Sequence, residues 1–240
     1  MQHILSELTL IIPTKNDHKN IIDNFVKIQK YLTTKIKHHE ILLISNGSNE
    51  ASVRILDTFC TTNKNVSHII SQKQGKGVAV KIGIQNSKYK NILFSDADSS
   101  VEIIEFDKFV LNQKLITPFV IGNRKNKLSQ NLKTPKSRLL TGFLFNKLVN
   151  YLFNINIQDT QCGFKAMDKS IFIDCDNFVT EGFSFDIEII LLALKNKIDI
   201  TEIPVKYIHD LNSNIHIFSD SVKMLKQLIK LKNQKLEMFE

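Results

Sequence analysis

Two aspartates with one residue between them are the clearest candidates for chemistry in this sequence. Asp96 and Asp98 directly follow a short apolar run that ends at Ser95. Carboxylate oxygens are the ligands that Mg²⁺ and Mn²⁺ prefer, and diphosphate oxygens can complete the shell of such an ion. The same segment also fits a turn in which Ser99 and Glu102 form a capping box for the next helix. The two interpretations are compatible, because the capping residues lie beyond the carboxylates.

A lysine between two glycines precedes the aspartates. Residues 74–77 read Gln-Gly-Lys-Gly, and an apolar pattern with helical spacing starts at Val78. Glycine permits close approach of the backbone to a ligand, and the N-terminus of a helix favours phosphate. This segment is therefore a candidate for phosphate binding. A simple tight turn also explains the glycines, since the spacing is not that of a P-loop or a dinucleotide fingerprint.

Two later segments carry charged residues that packing alone does not explain. Residues 159–165 read Asp-Thr-Gln-Cys-Gly-Phe-Lys, and residues 182–188 read Gly-Phe-Ser-Phe-Asp-Ile-Glu. The second segment puts Asp186 and Glu188 at the start of an otherwise apolar helix. A helix dipole stabilises carboxylates in the first turn of a helix. A structural role and a functional role therefore explain Asp186 and Glu188 equally well.

These segments belong to a chain that alternates strand-like and helix-like patterns. Apolar runs predict five strands, at Leu8–Ile12, Ile41–Ser45, Val66–Ile70, Asn91–Ser95 and Pro118–Ile121. Apolar residues with a period near 3.6 predict helices between the first three strands. The alternation predicts an α/β fold with a mostly parallel central sheet and helices on both faces. Ligands of such sheets bind at the carboxyl ends of the strands, where Asp96 and Asp98 are expected.

The pattern changes after Ile121, where a basic stretch begins. It leads to an amphipathic segment, a buried helix, a last strand and a basic amphipathic helix, predicted at Arg138–Phe153, Phe185–Leu194, Ile198–Val205 and Ser219–Lys235. The first and last of these segments combine an apolar face with basic residues, as helices at a membrane interface do, although packing on the sheet explains them equally. We see no internal repeat and no linker, and expect one domain over residues 1–240.

Composition and charge narrow the possible functions. The chain has 240 residues, of which 42% are hydrophobic and 23% charged, which is ordinary for a soluble globular domain. The net charge of +8, with a basic cluster between Arg124 and Arg138, suits phosphorylated substrates or an anionic membrane surface. No nucleic-acid-binding motif is present, so we expect no nucleic acid partner. No apolar run approaches the ~20 residues that span a bilayer, which favours a cytoplasmic protein with at most peripheral membrane attachment.

Taken in order, these segments resemble family-2 glycosyltransferases that act on polyprenyl phosphates, and most closely the dolichyl-phosphate glucose synthases. The matching segments are Ile12–Asp17, Gly75–Gly83, Asp96–Asp98, Gly122–Arg124, Asp159–Lys165, Gly182–Glu188 and Glu202–Val205. The resemblance implies a GT-A fold, a nucleotide-diphosphate sugar donor and inversion at the anomeric carbon. It also implies a nucleotide-sugar-binding half over about residues 1–122 and an acceptor-binding half over about 123–218, followed by the C-terminal helix at about 219–235.

The resemblance further assigns roles to particular residues. Seven are expected to bind the nucleotide sugar: Pro13, Asp17, Ser45, Lys76, Asp96, Asp186 and Glu188. Asp96 and Asp98 are expected to hold Mg²⁺ or Mn²⁺. Four more are expected at the reacting centre: Asp159, Arg124, Arg138 and Lys165. The two arginines would meet phosphate groups there.

The sequence departs from that family after the second strand, and the acceptor stays open. Residues 45–48 read Ser-Asn-Gly-Ser where the family usually has Asp-Asp-Gly-Ser, so the donor is open too, with UDP-glucose favoured and GDP-mannose next. A polyprenyl phosphate acceptor is already largely ionised near pH 7 and needs no strong base. A glycan or other hydroxyl acceptor would instead need Asp159 as a general base. The third alternative is a relative that binds a nucleotide sugar without turnover.

Overall fold

Strands and helices alternate along the whole first half of the chain. The computed structural model describes residues 3–132, 134–172, 182, 184–209 and 226–233. Its elements are, in order, β1 Leu5–Thr14, α1 His18–Lys35, β2 Ile36–Asn46, α2 Glu50–Thr62, β3 Val66–Ser71, α3 Lys76–Asn86, β4 Asn91–Ser95, β5 Val110–Leu111, β6 Lys114–Leu115, β7 Phe119–Asn123, β8 Gln130–Leu132, α4 Lys136–Phe153, β9 Phe164–Asp168, α5 Phe185–Lys195, β10 Ile200–Pro204 and β11 Lys206–Ile208. Short 3₁₀ helices lie at Ile103–Phe109 and Lys169–Phe172. Residues 226–233 are helical, and the rest of the predicted helix at Ser219–Lys235 lies outside the described residues.

One seven-stranded sheet organises the molecule. Its strand order is β10-β7-β9-β4-β1-β2-β3, and every neighbouring pair is parallel except the two that include β9. The central strands are buried on both faces, as is usual for parallel sheets whose faces are covered by helices. The α/β class and the mostly parallel sheet predicted from the sequence are therefore confirmed.

The order of the strands decides where a ligand can bind. From β1 the chain moves outward through β2 to β3, and then returns to place β4 on the other side of β1. Because crossover connections between parallel strands are right-handed, α1 and α2 cover one face of the sheet and α3 covers the other. The reversal between β1 and β4 leaves a crevice at their carboxyl ends, which is the usual binding position in such sheets.

Strand β9 was not predicted from the sequence. It inserts between β4 and β7 and runs antiparallel to both. Its sequence, Phe-Lys-Ala-Met-Asp, has too few apolar residues to predict a buried strand, yet Lys165 within it is fully buried. The sheet tolerates this lysine because its ammonium forms an ion pair with Asp186 of α5. Residues 159–165 therefore combine a turn with the start of a central strand.

Two further details bear on the sequence-based expectations. The capping box of Ser99 and Glu102 does not form, because the following element is a 3₁₀ helix without a side-chain cap, and Ser99 has φ near +51°. In α4 the expected apolar face is present, but much of it is exposed to solvent. No helix among the described residues is both long and apolar enough to cross a membrane.

Candidate active site

The site begins in the crevice where β1 and β4 end. Asp96 directly follows β4, and Lys76 is the first residue of α3. The Lys76 ammonium lies 2.5 Å from Asp96 Oδ1 and is 5.2 Å from the centre of the Phe94 ring. Burial alone would lower the pKa of Lys76, but the nearby carboxylates of Asp96 and Asp186 raise it, so the lysine is charged. The lysine between two glycines and the first aspartate of the pair thus meet as one ion pair.

Asp98 is the less satisfied of the two aspartates. Its Oδ1 accepts a hydrogen bond of 2.9 Å from the backbone N–H of Ser100. Burial raises the pKa of Asp98, and the negative charge of Asp96 raises it further. A positive charge placed between two such carboxylates would remove the repulsion that disfavours their ionised forms. This arrangement is suited to a bound cation.

A cation at this position would have two carboxylate ligands, Asp96 and Asp98. In the described part of the chain, no three His, Cys, Asp or Glu side chains are grouped so that they could hold a metal ion. Magnesium-type ions are commonly held by one or two carboxylates together with substrate phosphates and water. Asp96 and Asp98 therefore fit a hard divalent cation that binds along with a diphosphate.

Gly163 makes room for the Asp96 side chain. The backbone N–H of Asp96 donates to the carbonyl of Gly163 at 3.1 Å, which brings the two residues into direct contact. A Cβ atom at Gly163 would overlap the Asp96 carboxylate. Gly163, in the segment at residues 159–165, is thus required for the position of Asp96, although the two residues are far apart in the sequence.

The ends of β1 and β2 form the other wall of the crevice. Pro13 is buried in β1, opposite Ile44, and Asp17 Oδ2 accepts a hydrogen bond of 2.9 Å from the backbone N–H of Lys15, which folds the loop before α1. Thr14 Oγ1 is buried and has no hydrogen-bond partner among the described residues. An unsatisfied buried hydroxyl costs about 1–3 kcal/mol. Thr14 is therefore a candidate ligand contact that the sequence reasoning missed.

Ser45 does not present its hydroxyl to this crevice. It is buried, and its Oγ lies 2.8 Å from Nε2 of His68, whose Nδ1 lies 2.7 Å from Oδ1 of Asp57. The His68 ring thus connects the Ser45 hydroxyl on one side with the Asp57 carboxylate on the other. The side chain is tied to β3 and α2, which gives its predicted contact with the nucleotide base no support.

A second charged centre lies beyond β7. Arg124 donates to Asp159 three times: from Nε to Oδ2 at 2.7 Å, from Nη2 to Oδ1 at 2.8 Å, and from the backbone N–H to Oδ2 at 2.9 Å. The Asp159 side chain is fully buried. Burial would raise the pKa of Asp159, but the charge and hydrogen bonds of Arg124 outweigh it and hold that pKa at about 2. Asp159 is therefore a permanently ionised partner of Arg124.

Glu202 fixes the turn that carries Asp159. Its two carboxylate oxygens accept the backbone N–H groups of Gln158 and Asp159, each at 2.9 Å. The Glu-Ile-Pro-Val segment at residues 202–205 had been recognised in the sequence without a role for its glutamate. The structure supplies that role, because β10 carries Glu202 to the turn through its parallel pairing with β7.

Lys165, Asp186 and Glu188 are buried, and Asp186 lies close to Lys76 and Asp96. The Lys165 ammonium lies 2.5 Å from Asp186 Oδ1 and donates to the carbonyl of Cys162, and the lysine is fully buried. Burial raises the pKa of Asp186 despite the opposing charge of Lys165. Glu188 is also buried, at 3% exposure. The Lys165–Asp186 ion pair has a structural role, and Asp186 is also close enough to Lys76 to raise the pKa of that lysine.

Arg138 and Tyr207 complete the second centre. Arg138 lies in the first turn of α4, close enough to Tyr207 for its charge to affect the pKa of the phenol, which burial raises overall. The Arg124 guanidinium lies over the Tyr207 ring, 5.2 Å from its centre. Tyr207 was not singled out from the sequence, since a tyrosine in a short strand carries no motif.

The mostly parallel seven-stranded sheet, with a crevice and a carboxylate pair where β1 and β4 end, has the architecture of a GT-A fold. The solved structure of mannosyl-3-phosphoglycerate synthase from Rubrobacter xylanophilus superposes on this chain with a TM-score of 0.70, at 13% identity, over 98% of this chain and 74% of that one. Glucosyl-3-phosphoglycerate synthase from Mycobacterium tuberculosis, in complex with Mn²⁺, UDP and glucosyl-3-phosphoglycerate, superposes with a TM-score of 0.68, at 11% identity, over 93% and 77% of the two chains. At such identities the likeness establishes the fold.

The chain belongs to glycosyl transferase family 2, whose domain matches residues 9–176. It is 29% identical to the dolichyl-phosphate beta-glucosyltransferase of Saccharomyces cerevisiae, over 92% of this chain and 73% of that protein. It is 24% identical to the human protein of the same name, over 93% and 74%, and 22% identical to the polyprenol monophosphomannose synthase of Mycolicibacterium smegmatis, over 82% and 76%. The prediction of a family-2 glycosyltransferase is confirmed.

Proposed function

We propose that this glycosyltransferase moves a hexose from a nucleotide-diphosphate sugar to a polyprenyl phosphate of the dolichyl type, with inversion at the anomeric carbon. UDP-glucose is the favoured donor and GDP-mannose the next. Relatives named for glucosyl transfer to dolichyl phosphate align over nine-tenths of the chain, which supports the acceptor and the favoured sugar.

The state of Asp159 is the observation that carries the proposal. A hydroxyl acceptor must lose a proton during transfer, which requires a base whose pKa lies near the working pH. Asp159 is buried, is held by three hydrogen bonds from Arg124, and has a pKa of about 2, so it is a very weak base. A phosphate acceptor needs no base, because its second pKa is about 6 and it is already largely ionised near pH 7. The site therefore favours an acceptor that is already an anion.

The proposed reaction is a single displacement. A phosphate oxygen of the acceptor attacks the anomeric carbon from the side opposite the diphosphate, and the bond from that carbon to the diphosphate oxygen breaks with its electron pair. The nucleoside diphosphate leaves, and no proton is transferred. Arg124 and the neighbouring Lys125 offset the repulsion between the two anionic substrates, as cations aimed at developing charge do.

The leaving group requires positive charge at the ends of β1 and β4. Lys76 supplies one cation there, beside Asp96. A divalent ion, Mg²⁺ or Mn²⁺, held by Asp98 and Asp96, would act as a Lewis acid on the diphosphate. Among the described residues, Asp98 has no ion pair like the one between Asp96 and Lys76, so we expect Asp98 to contribute more than Asp96 to binding of the ion.

We also propose that α4 attaches the enzyme to the membrane that holds its acceptor. Leu140 and Leu144, one helical turn apart, are 59% and 56% exposed, and Phe143 and Tyr151 extend the same apolar surface. A helix with an exposed apolar face and basic residues beside it binds at the interface of an anionic bilayer. Sedimentation with vesicles of phosphatidylcholine and phosphatidylserine tests this attachment.

A matched pair of variants makes the vesicle test specific. Leu140→Glu combined with Leu144→Glu is expected to abolish sedimentation, because it places two charges in the apolar face. Val26→Glu is the control, since Val26 is 73% exposed on α1. Equal binding by the two proteins would contradict the role of α4.

Transfer of labelled sugar is the decisive experiment. UDP-glucose and, in parallel, GDP-mannose are incubated with Mn²⁺ and a short polyprenyl phosphate, with the corresponding polyprenol as the hydroxyl control and Asp98→Ala as the blank. A labelled lipid formed only from the phosphate supports the proposal and identifies the donor. Product from the alcohol would favour a hydroxyl acceptor, and binding of nucleotide sugar without any product would favour a non-catalytic relative.

A further inference from the structure

Tyr207 lies between the two charged centres of the site. Strand β11, which carries it, pairs in parallel with β8 on one side, and Tyr207 forms an antiparallel bridge to Val101 on the other. The backbone N–H of Ile208 donates to the carbonyl of Ser100 at 2.8 Å, and that of His209 donates to the carbonyl of Leu132 at 3.0 Å. Residues 206–209 thus connect the turn after Asp98 to the basic segment after Arg124.

The side chain of Tyr207 continues this connection. Its ring lies under the Arg124 guanidinium, 5.2 Å away, which is within the range of a cation–π contact. Its hydroxyl lies 3.2 Å from Nδ1 of His209, at the far end of the ring. The hydroxyl is therefore held by His209, close to Ser100 and to the charge of Asp98, while the ring face is directed at the arginine.

Arg124 needs this contact because Asp159 restrains only one edge of it. Asp159 binds Nε and Nη2, which lie along the same side of the planar guanidinium. This pairing fixes the edge of the guanidinium that carries Nε and Nη2, but the guanidinium plane can still tilt about that edge. The remaining amino group, Nη1, has no part in the pairing. An aromatic face against the guanidinium restrains the tilt, since guanidinium groups stack on rings in parallel.

We propose that Tyr207 is a positioning residue, whose ring holds the guanidinium of Arg124 in the plane in which its remaining N–H groups meet the anionic acceptor. The inference rests on the proposed function for the identity of that acceptor. The aromatic ring of Tyr207 positions the guanidinium, and the Tyr207 hydroxyl contributes little to that positioning.

Three substitutions separate the ring from the hydroxyl and from simple packing. Tyr207→Phe keeps the ring, Tyr207→Trp enlarges it, and Tyr207→Leu replaces it with an apolar side chain that cannot stack. For Leu we expect kcat/KM for polyprenyl phosphate to fall about tenfold, with KM for UDP-glucose changed less than about twofold. Phe and Trp are expected to stay within about twofold of the unsubstituted enzyme.

The orientation of Arg124 can be followed without turnover. Its Nε–H resonance in an NMR spectrum of the ligand-free protein is assigned by its loss in Arg124→Lys. We expect a single narrow resonance for this proton in the unsubstituted, Phe and Trp proteins, and a broadened one in Leu, where the guanidinium can tilt about the edge that Asp159 fixes. If Leu does not fold, Tyr207→Met, which is flexible and similar in volume, takes its place.

Each outcome bears on the proposal. Leu behaving like Phe in both measurements would overturn it, because the ring would then be dispensable. Phe as impaired as Leu would also overturn it, because the hydroxyl would then be the active part. A resonance that depends on the ring in a protein without lipid product would preserve the positioning role and count against the proposed acceptor instead.

Discussion

The two charged centres contain the same kinds of side chain in opposite states. At the ends of β1 and β4, Asp96 keeps 36% of its side chain exposed, and Asp98 has a pKa raised by burial and by its neighbour. At the second centre, Asp159 is fully buried and its pKa is lowered to about 2 by Arg124. A carboxylate that is repelled by its neighbour is available to a ligand, whereas one that is enclosed by a cation holds a protein group in place. The first centre is thus suited to binding and the second to orientation.

The largest expected effect comes from opening the enclosed centre. Asp159→Ala leaves the buried part of Arg124 without its partner, and we expect the free energy of unfolding to fall by about 3 kcal/mol, measured by urea denaturation. The control is Glu50→Ala, which breaks the exposed pair with Arg54 and should cost no more than about 1 kcal/mol. Similar losses in the two variants would contradict the contrast between buried and exposed pairs.

The same ion pair predicts how stability depends on pH. The pKa of Asp159 is lowered from 3.8 to about 2 on folding, so its contribution is fully present above pH 3.8 and is lost as the pH falls through 2. The contribution amounts to about 2 kcal/mol. Acid unfolding monitored by circular dichroism should therefore show a smaller loss of stability between pH 4 and pH 2 in Asp159→Ala than in the unsubstituted protein.

Removing the available carboxylate should affect activity without affecting the fold. For Asp98→Ala we expect metal-dependent transfer to fall by at least about 100-fold, since a Lewis acid contributes several kcal/mol at a transition state. The midpoint of thermal unfolding should stay the same or rise, because the substitution removes a repulsion with Asp96. Near-normal transfer, or unchanged Mn²⁺ affinity in a paramagnetic relaxation titration, would refute the metal assignment.

A methyl group at Gly163 should move Asp96 without removing its charge. The new Cβ overlaps the Asp96 carboxylate, so Gly163→Ala is expected to cost about 1–3 kcal/mol of stability and to reduce transfer in parallel. Gly142→Ala is the matched control, because a Cβ at this position in α4 meets no atom within 4 Å. Alanine there should stabilise the helix by about 0.5–1 kcal/mol and leave transfer unchanged.

The smallest expected effect is a shift in the pH profile of transfer. At saturating Mn²⁺ and donor, the rate should rise with pH around 6, where the acceptor phosphate loses its second proton. Asp159 should add no inflection between pH 4 and pH 8, because its pKa is about 2. A phosphonate acceptor, whose second pKa is higher, should move the inflection to higher pH. An inflection that does not follow the acceptor would indicate that a protein group is titrating.

Much of the fold could be predicted because its signals are local. The parallel strands are buried on both faces and therefore read as apolar runs, whereas α1 and α2 are buried on one face and therefore show a 3.6-residue period. The strand at Asn91–Ser95 was predicted with its observed bounds. The position of Asp96 and Asp98 after that strand was local as well. Strand β9 could not be predicted, since the compensation for Lys165 comes from Asp186, on another element.

The sequence by itself thus determined the α/β class and the family, and it supplied the candidate residues for the site. Only the tertiary structure decided which of them act together. It enclosed Asp159 with Arg124, turned Ser45 away toward His68, buried Lys165, and placed the ring of Tyr207 under a guanidinium. The reason is physical: the pKa and the accessibility of a side chain depend on neighbours brought from distant parts of the chain, and the local pattern of a sequence does not contain them.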